Sequence, residues 1–146
     1  MKVVFAGNNL RAVKCLEFLI KKKITIPLVI SHHKKSEGLY FQNLIKISKQ
    51  LNLNCVSPKN INSIKLEKIL KKINPDLLVL CGYSQNILKE KIYNLPKYGT
   101  WNLHASDLPK YRGASPLNWS ILNGEKKIGI SIIQVDKSLD GGDILA

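Results

Sequence analysis

Asn102 and His104, two positions apart, and Asp140, in the run Leu139-Asp140-Gly141-Gly142-Asp143, supply an amide, an imidazole and a carboxylate from separate stretches of the chain. Those three groups are the parts needed to handle a tetrahedral oxyanion and its protons. An amide N–H donates to developing negative charge, and an imidazole exchanges protons near neutral pH. A carboxylate orients that imidazole and balances its charge. Residues two apart on a strand share a face, so Asn102 and His104 are predicted to point the same way. Structural residues satisfied by hydrogen bonds would show the same spacing. The flanking run Asn102-Leu103-His104-Ala105-Ser106-Asp107-Leu108-Pro109-Lys110-Tyr111-Arg112-Gly113, the most specific stretch of the sequence, tips the reading toward catalysis.

The elements that must position these groups follow from periodicity. Lys2–Ala6, Ile26–Ser31, Asn54–Val56, Leu77–Cys81, Thr100–His104 and Ile128–Val135 are short β-branched runs that read as strands. Between them, Leu10–Lys22, Leu39–Leu51, Asn62–Ile73, Asn86–Tyr93 and Pro116–Asn123 read as helices. In the third of these, Ile64, Leu66, Ile69, Leu70 and Ile73 recur at helical spacing and leave a lysine-rich face for water. The alternation predicts an α/β, Rossmann-like fold, a mostly parallel sheet with helices on both faces. Ligands of such sheets sit beyond the carboxyl ends of the strands, where Gly82–Asn86 and His104–Asp107 should emerge. Gly7-Asn8-Asn9-Leu10-Arg11-Ala12 is not a G-x-G-x-x-G fingerprint. Gly7 reads as a tight turn, with Asn8 and Asn9 open to binding a ligand.

With 146 residues, the chain is sized for one domain that buries roughly 70% of its unfolded surface. No repeat or linker divides it. The longest apolar runs are too short to span a bilayer. The polar turn at Asn8 rules out a signal-peptide core, so the predicted location is cytoplasmic, with no membrane partner. Cys15, Cys55 and Cys81 form no C-x-x-C pair and read as reduced core residues. His32 and His33 adjoin Lys34 and Lys35 with no other ligand at metal spacing, so no metal site is predicted. The net charge of +13 has two readings: a lysine-rich compositional bias on solvated surfaces, or a face for nucleic acid.

The run from Trp101 to Ala146 resembles the catalytic signature of the 10-formyltetrahydrofolate-dependent formyltransferases, the family that includes methionyl-tRNA formyltransferases and sugar-nucleotide N-formyltransferases. The resemblance is carried by Asn-x-His, Ser106–Pro109, Lys110-Tyr111-Arg112-Gly113-Ala114-Ser115-Pro116, the Asn123-Gly124-Glu125 turn and Asp140-Gly141-Gly142-Asp143. Val3-Val4-Phe5-Ala6-Gly7 and Asn74–Val79 extend it more weakly upstream. It implies transfer of a formyl group from 10-formyltetrahydrofolate, as donor cosubstrate, to a primary amine. Asn102 would donate to the oxyanion, His104 would move protons and Asp140 would orient the imidazole. The implied folate pocket comprises Gly82, Tyr83, Ser84, Gln85, Asn86, Leu88, Ser106, Asp107, Leu108, Pro109 and Asp136. For Tyr83 and Leu88 core packing is the competing reading. Asp143 either caps the glycine turn or joins the site, and Tyr111 and Arg112 either touch the acceptor or pin their loop.

The first turn departs from the Gly-Thr-Pro usual in the tRNA-modifying members, and His32-His33-Lys34-Lys35 stands where they carry a basic Gly-Arg-Gly-rich loop. Asp107 also replaces a commoner leucine. The expected acceptor is initiator methionyl-tRNA, with an amino-sugar nucleotide as the alternative. Residues 1–146 are expected to form an N-terminal catalytic domain, apparently truncated at its C-terminus and without a second domain. A non-catalytic, folate-binding or vestigial domain is the third reading.

Overall fold

The computed structural model describes residues 1–31, 44–83 and 88–146. In chain order the elements are β1 (Lys2–Gly7), α1 (Leu10–Lys21), β2 (Thr25–Ile30), α2 (Leu44–Gln50), β3 (Cys55–Val56), α3 (Ile64–Ile73), β4 (Leu77–Cys81), α4 (Glu90–Tyr93), β5 (Thr100–His104), α5 (Pro116–Leu122) and β6 (Ser131–Gln134). The strands form one sheet in the order β3-β2-β1-β4-β5-β6, parallel except for β6, which runs antiparallel to β5. This is the expected Rossmann-like α/β architecture.

Both faces of the sheet are covered, as a parallel sheet of apolar strands requires. Val4, Ala6, Leu28, Ile30, Leu78 and Leu80 pack under α3 and α4, through Leu66, Leu70, Ile92 and Tyr93. Val3, Phe5, Val29, Leu77 and Cys81 pack on the other side with Ala12, Val13 and Leu16 of α1 and Leu44 of α2. Cys81 is fully buried, while Cys15 and Cys55 are partly buried against the same cluster. A hydrogen bond between the Cys15 and Cys81 thiols pulls Cys15 down to about 7. The same contact, reinforced by burial, pushes Cys81 up.

Helix starts follow local chemistry. The Asn9 carboxamide accepts the Ala12 N–H at 3.0 Å and begins α1. The predicted start of the third helix at Asn62 moves to Ile64, because Ser63 is extended and its hydroxyl accepts the Leu66 N–H at 3.3 Å. Asn74, in the left-handed region at φ 49°, ends that helix. Ser63→Ala should therefore lower stability by about 1 kcal/mol, read as a shifted denaturant midpoint with unchanged slope. Glu67 in α3 pairs with Lys71 and Lys91, both at 2.8 Å, tying α3 to α4. Hydrogen bonds from Lys71 and then Lys91 hold its carboxyl down at about 2.

Two further boundaries differ from the sequence reading. Lys89 is extended, so α4 begins at Glu90 rather than Asn86, which itself lies outside the described residues. β6 covers Ser131–Gln134, not Ile128–Val135: its ladder runs from Ser131, opposite the last residue of β5, to Gln134 opposite Trp101, and Val135 adds only its N–H to Thr100 O. The start of the predicted Leu39–Leu51 helix also lies outside the described residues. No helix among the described residues is long and apolar enough to cross a membrane.

The strand order reverses between β1 and β4, which opens the crevice where such sheets bind ligands. Asn9, leaving β1, and Gly82, leaving β4, meet there. Gly82 has φ +62°, and a Cβ on it would stand 2.0 Å from the Asn9 amide nitrogen, so a larger residue would be strained and would displace the Asn9 side chain. Beneath them the buried Ser31 hydroxyl donates to Asn8 Oδ1 at 2.9 Å.

Candidate active site

β5 lies beside β4 with Leu80 opposite Asn102 and Cys81 opposite Leu103, which brings His104 to the carboxyl end of the sheet near Gly82. Alternation along β5 puts Asn102 and His104 on one face. His104 is 7% exposed, while Asn102 and Asp140 are partly buried. Desolvation of this degree strengthens each polar contact among them.

After β5 the chain doubles back over His104. The Ser106 hydroxyl donates to Lys110 O at 2.7 Å, and the Ser131 hydroxyl of β6 donates to Ser106 O at 2.9 Å. The same Ser131 oxygen accepts the Leu108 N–H at 3.1 Å, and the Leu108–Pro109 peptide is cis. This folding delivers Tyr111, in the left-handed region at φ 57°, so that its carbonyl lies 2.9 Å from His104 Nε2. Both ring nitrogens face acceptors, and the Tyr111 carbonyl is the nearer and the one in hydrogen-bond geometry, so the proton of the neutral ring is assigned to Nε2. Nδ1 is then the nitrogen free to take a proton, and it faces Asp140 Oδ2 at 3.5 Å.

Asp140 arrives on the loop after β6. That loop closes on itself: Gln134 N–H donates to Asp143 O at 2.9 Å, and Ile133 bridges Ile144 antiparallel to β6. Asp140 itself has φ 45°. Its Oδ1 accepts from the Asn102 amide at 3.1 Å and its Oδ2 accepts the Gly113 N–H at 3.0 Å. One carboxylate thus gathers Asn102, His104 and the 110–113 loop. One amide hydrogen of Asn102 is engaged by Asp140, and the carboxamide carries a second N–H beside it.

The remaining candidates are dispersed. The Asp136 carboxylate accepts from both the hydroxyl and the N–H of Ser138, contacts that hold it below the usual carboxylate range. Leu88 is buried in the core beside Tyr93, and Tyr83 packs partly against the same cluster, where burial raises its phenol to about 12. Ser106 and Leu108 are buried and hydrogen-bonded within the protein, whereas Pro109 is exposed. Asp107 is also exposed and lines a cleft of about 250 Å³ with Lys110, Tyr111, Glu125, Lys127 and Gly129. Ser84, Gln85 and Asn86 lie outside the described residues, as do His32, His33, Lys34 and Lys35. Asp143 contributes its carbonyl to the β6 pairing. Among the described residues no three His, Cys, Asp or Glu side chains converge to hold a metal.

Two contacts at the centre of the site come from backbone atoms, the Tyr111 carbonyl and the Gly113 N–H. Side-chain type announces neither. The only sequence signal was the tight, glycine-ended run itself.

This geometry lies within a family already defined by sequence. The chain belongs to the formyl transferase family, whose model matches residues 1–146. It is 40% identical to the methionyl-tRNA formyltransferase of Thermotoga neapolitana over 99% of this chain and 47% of that protein. The chain spans about half the length of the curated relatives it matches. In fold it resembles the phosphoribosylglycinamide formyltransferase of Bacillus halodurans, with a TM-score of 0.82 at 18% identity, covering all of this chain and 77% of the other. It is also similar to WlaRD, a sugar 3N-formyl transferase crystallised in the presence of dTDP and 5-N-formyl-THF. That match has a TM-score of 0.71 at 25% identity and covers all of this chain and 50% of the other.

Proposed function

We propose that residues 1–146 form the catalytic domain of an enzyme that moves a formyl group from 10-formyltetrahydrofolate to the amino group of methionyl-tRNA. The observation that carries the reaction is the convergence of Asn102, His104 and Asp140 at the carboxyl end of β5. The acceptor amine attacks the formyl carbon, whose oxygen becomes an oxyanion facing the spare N–H of Asn102. His104 Nδ1 takes a proton from the attacking nitrogen, and Asp140 stabilises the imidazolium. Collapse breaks the bond between the formyl carbon and the folate nitrogen, to which His104 returns the proton. No net redox change occurs. The donor would be bound by Gly82, Tyr83, Leu88, residues 106–109 and Asp136, together with Ser84, Gln85 and Asn86. The setting would be the cytoplasm.

The methionyl-tRNA reading is supported by the 40% identical relative and by the net charge of +13, which favours a polyanionic partner. An amino-sugar nucleotide is the second reading, supported by the similarity to WlaRD and by the Gly7-Asn8-Asn9 turn. Supplying the protein with 10-formyltetrahydrofolate and either acceptor separates them. Formylation of methionyl-tRNA is expected. Turnover of the sugar nucleotide alone would reassign the acceptor, and folate binding without any transfer would favour a non-catalytic domain.

A further inference from the structure

We propose that Glu125 is a positioning residue for His104, acting through Tyr111. The inference rests on His104 as the proton-transfer group and extends that reading to a residue outside the reacting centre.

Tyr111 is held at both ends. Its carbonyl accepts from His104 Nε2 at 2.9 Å, and its hydroxyl donates to Glu125 Oε1 at 2.9 Å. The Asn123 amide donates to the same hydroxyl at 3.4 Å, and Lys110 Nζ stands 3.8 Å from Glu125 Oε1. The backbone between these anchors is in the left-handed region, which a bulky non-glycine residue adopts only when its surroundings hold it there. Hydrogen bonding of the Tyr111 side chain supplies that restraint.

Glu125 is delivered by the end of α5. Asn123 N–H donates to Trp119 O, Gly124 turns the chain at φ +71°, and Glu125 N–H donates to Ser120 O at 3.0 Å. The Asn123-Gly124-Glu125 turn is therefore a bracket that fixes one carboxylate against the Tyr111 phenol. The 110–113 stretch that carries Tyr111 also presents the Gly113 N–H to Asp140. Loss of the bracket would free Tyr111 to leave the left-handed region and withdraw its carbonyl from Nε2. With that acceptor gone, the proton can sit on either nitrogen, and the share of rings with Nδ1 free falls.

The readout is the ¹⁵N chemical shifts of the His104 ring, recorded on the alkaline side where an ordinary imidazole is neutral. The native protein should show the tautomer protonated on Nε2. Glu125→Ala and Tyr111→Phe should each move the shifts toward a tautomer mixture, and Glu125→Gln, whose amide oxygen still accepts the phenol, should restore most of the native pattern. In formyl transfer kcat should fall about tenfold in the first two variants with KM little changed, the size typical for residues that orient a site's own ligands. Native shifts in Tyr111→Phe would overturn the proposal even if Glu125→Ala failed to fold. The shifts need no turnover: a protein that formylates neither acceptor but loses its tautomer in these variants would refute the assigned function and leave the positioning role standing.

Discussion

Asp140→Asn should lower kcat for formyl transfer by about 10³–10⁴-fold, the range of acid–base groups and of carboxylates that orient a catalytic imidazole. The carboxylate is engaged on three sides: Oδ1 accepts from Asn102, Oδ2 accepts the Gly113 N–H, and Oδ2 also faces His104 Nδ1 at 3.5 Å, ready for the proton that nitrogen takes up. A carboxamide keeps one acceptor and turns the other into a donor. Whichever way it is flipped, an N–H confronts an N–H, either that of Asn102 or that of Gly113. The charge that would stabilise the protonated ring is also lost. Asparagine tolerates left-handed backbone, so φ 45° at this position is no obstacle and the fold should survive. Steady-state kinetics alongside a thermal melt would check this, and a variant with kcat within threefold of native and an unchanged melt would remove Asp140 from the mechanism.

Gly142→Ala is expected to damage the same site from two residues away. A Cβ there would fall 1.8 Å from the Gln134 carbonyl oxygen and 3.0 Å from its carbon, both backbone atoms of β6. Neither can move without breaking the pairing that holds β6 on β5, so the 136–143 loop must lift. Displacing Asp140 by about 1 Å can cost on the order of 10²-fold in rate, and the overpacking should cost about 1–3 kcal/mol of stability. The check is a denaturation midpoint measured with kcat. A native rate would mean that the loop accommodates the methyl group without moving Asp140.

Much of the fold was legible because the strands are apolar runs too short to be anything else and the helices repeat at 3.6 residues. Misses came at ends, where a neighbour decides. β6 begins opposite the last residue of β5, and α4 waits for Glu90 because Lys89 is extended. Within the site, the spacing of Asn102 and His104 was enough to put them on one face. The resemblance to the formyltransferases singled out Asp140, yet Asp136 in the same loop is an equally good carboxylate on composition. Their difference is one of backbone direction: Asp136 turns in on Ser138, and left-handed Asp140 points across to Asn102. Tyr111 shows the same limit. Its type suggested a contact with the acceptor or a pin for its loop, and its hydroxyl lies on Glu125.

Periodic burial and side-chain chemistry are properties of short windows, and they were sufficient to identify an α/β sheet, its two apolar faces and the strand carrying Asn102 and His104, while the family came from the resemblance of the motifs between Trp101 and Ala146. The meeting of those residues with Asp140, the tautomer imposed on His104 by the Tyr111 carbonyl, and the anchoring of Tyr111 by Glu125 belong to the folded chain. They depend on hydrogen bonds from backbone atoms, which every residue carries alike, and on the direction in which loops return, which is set by packing between segments far apart in sequence.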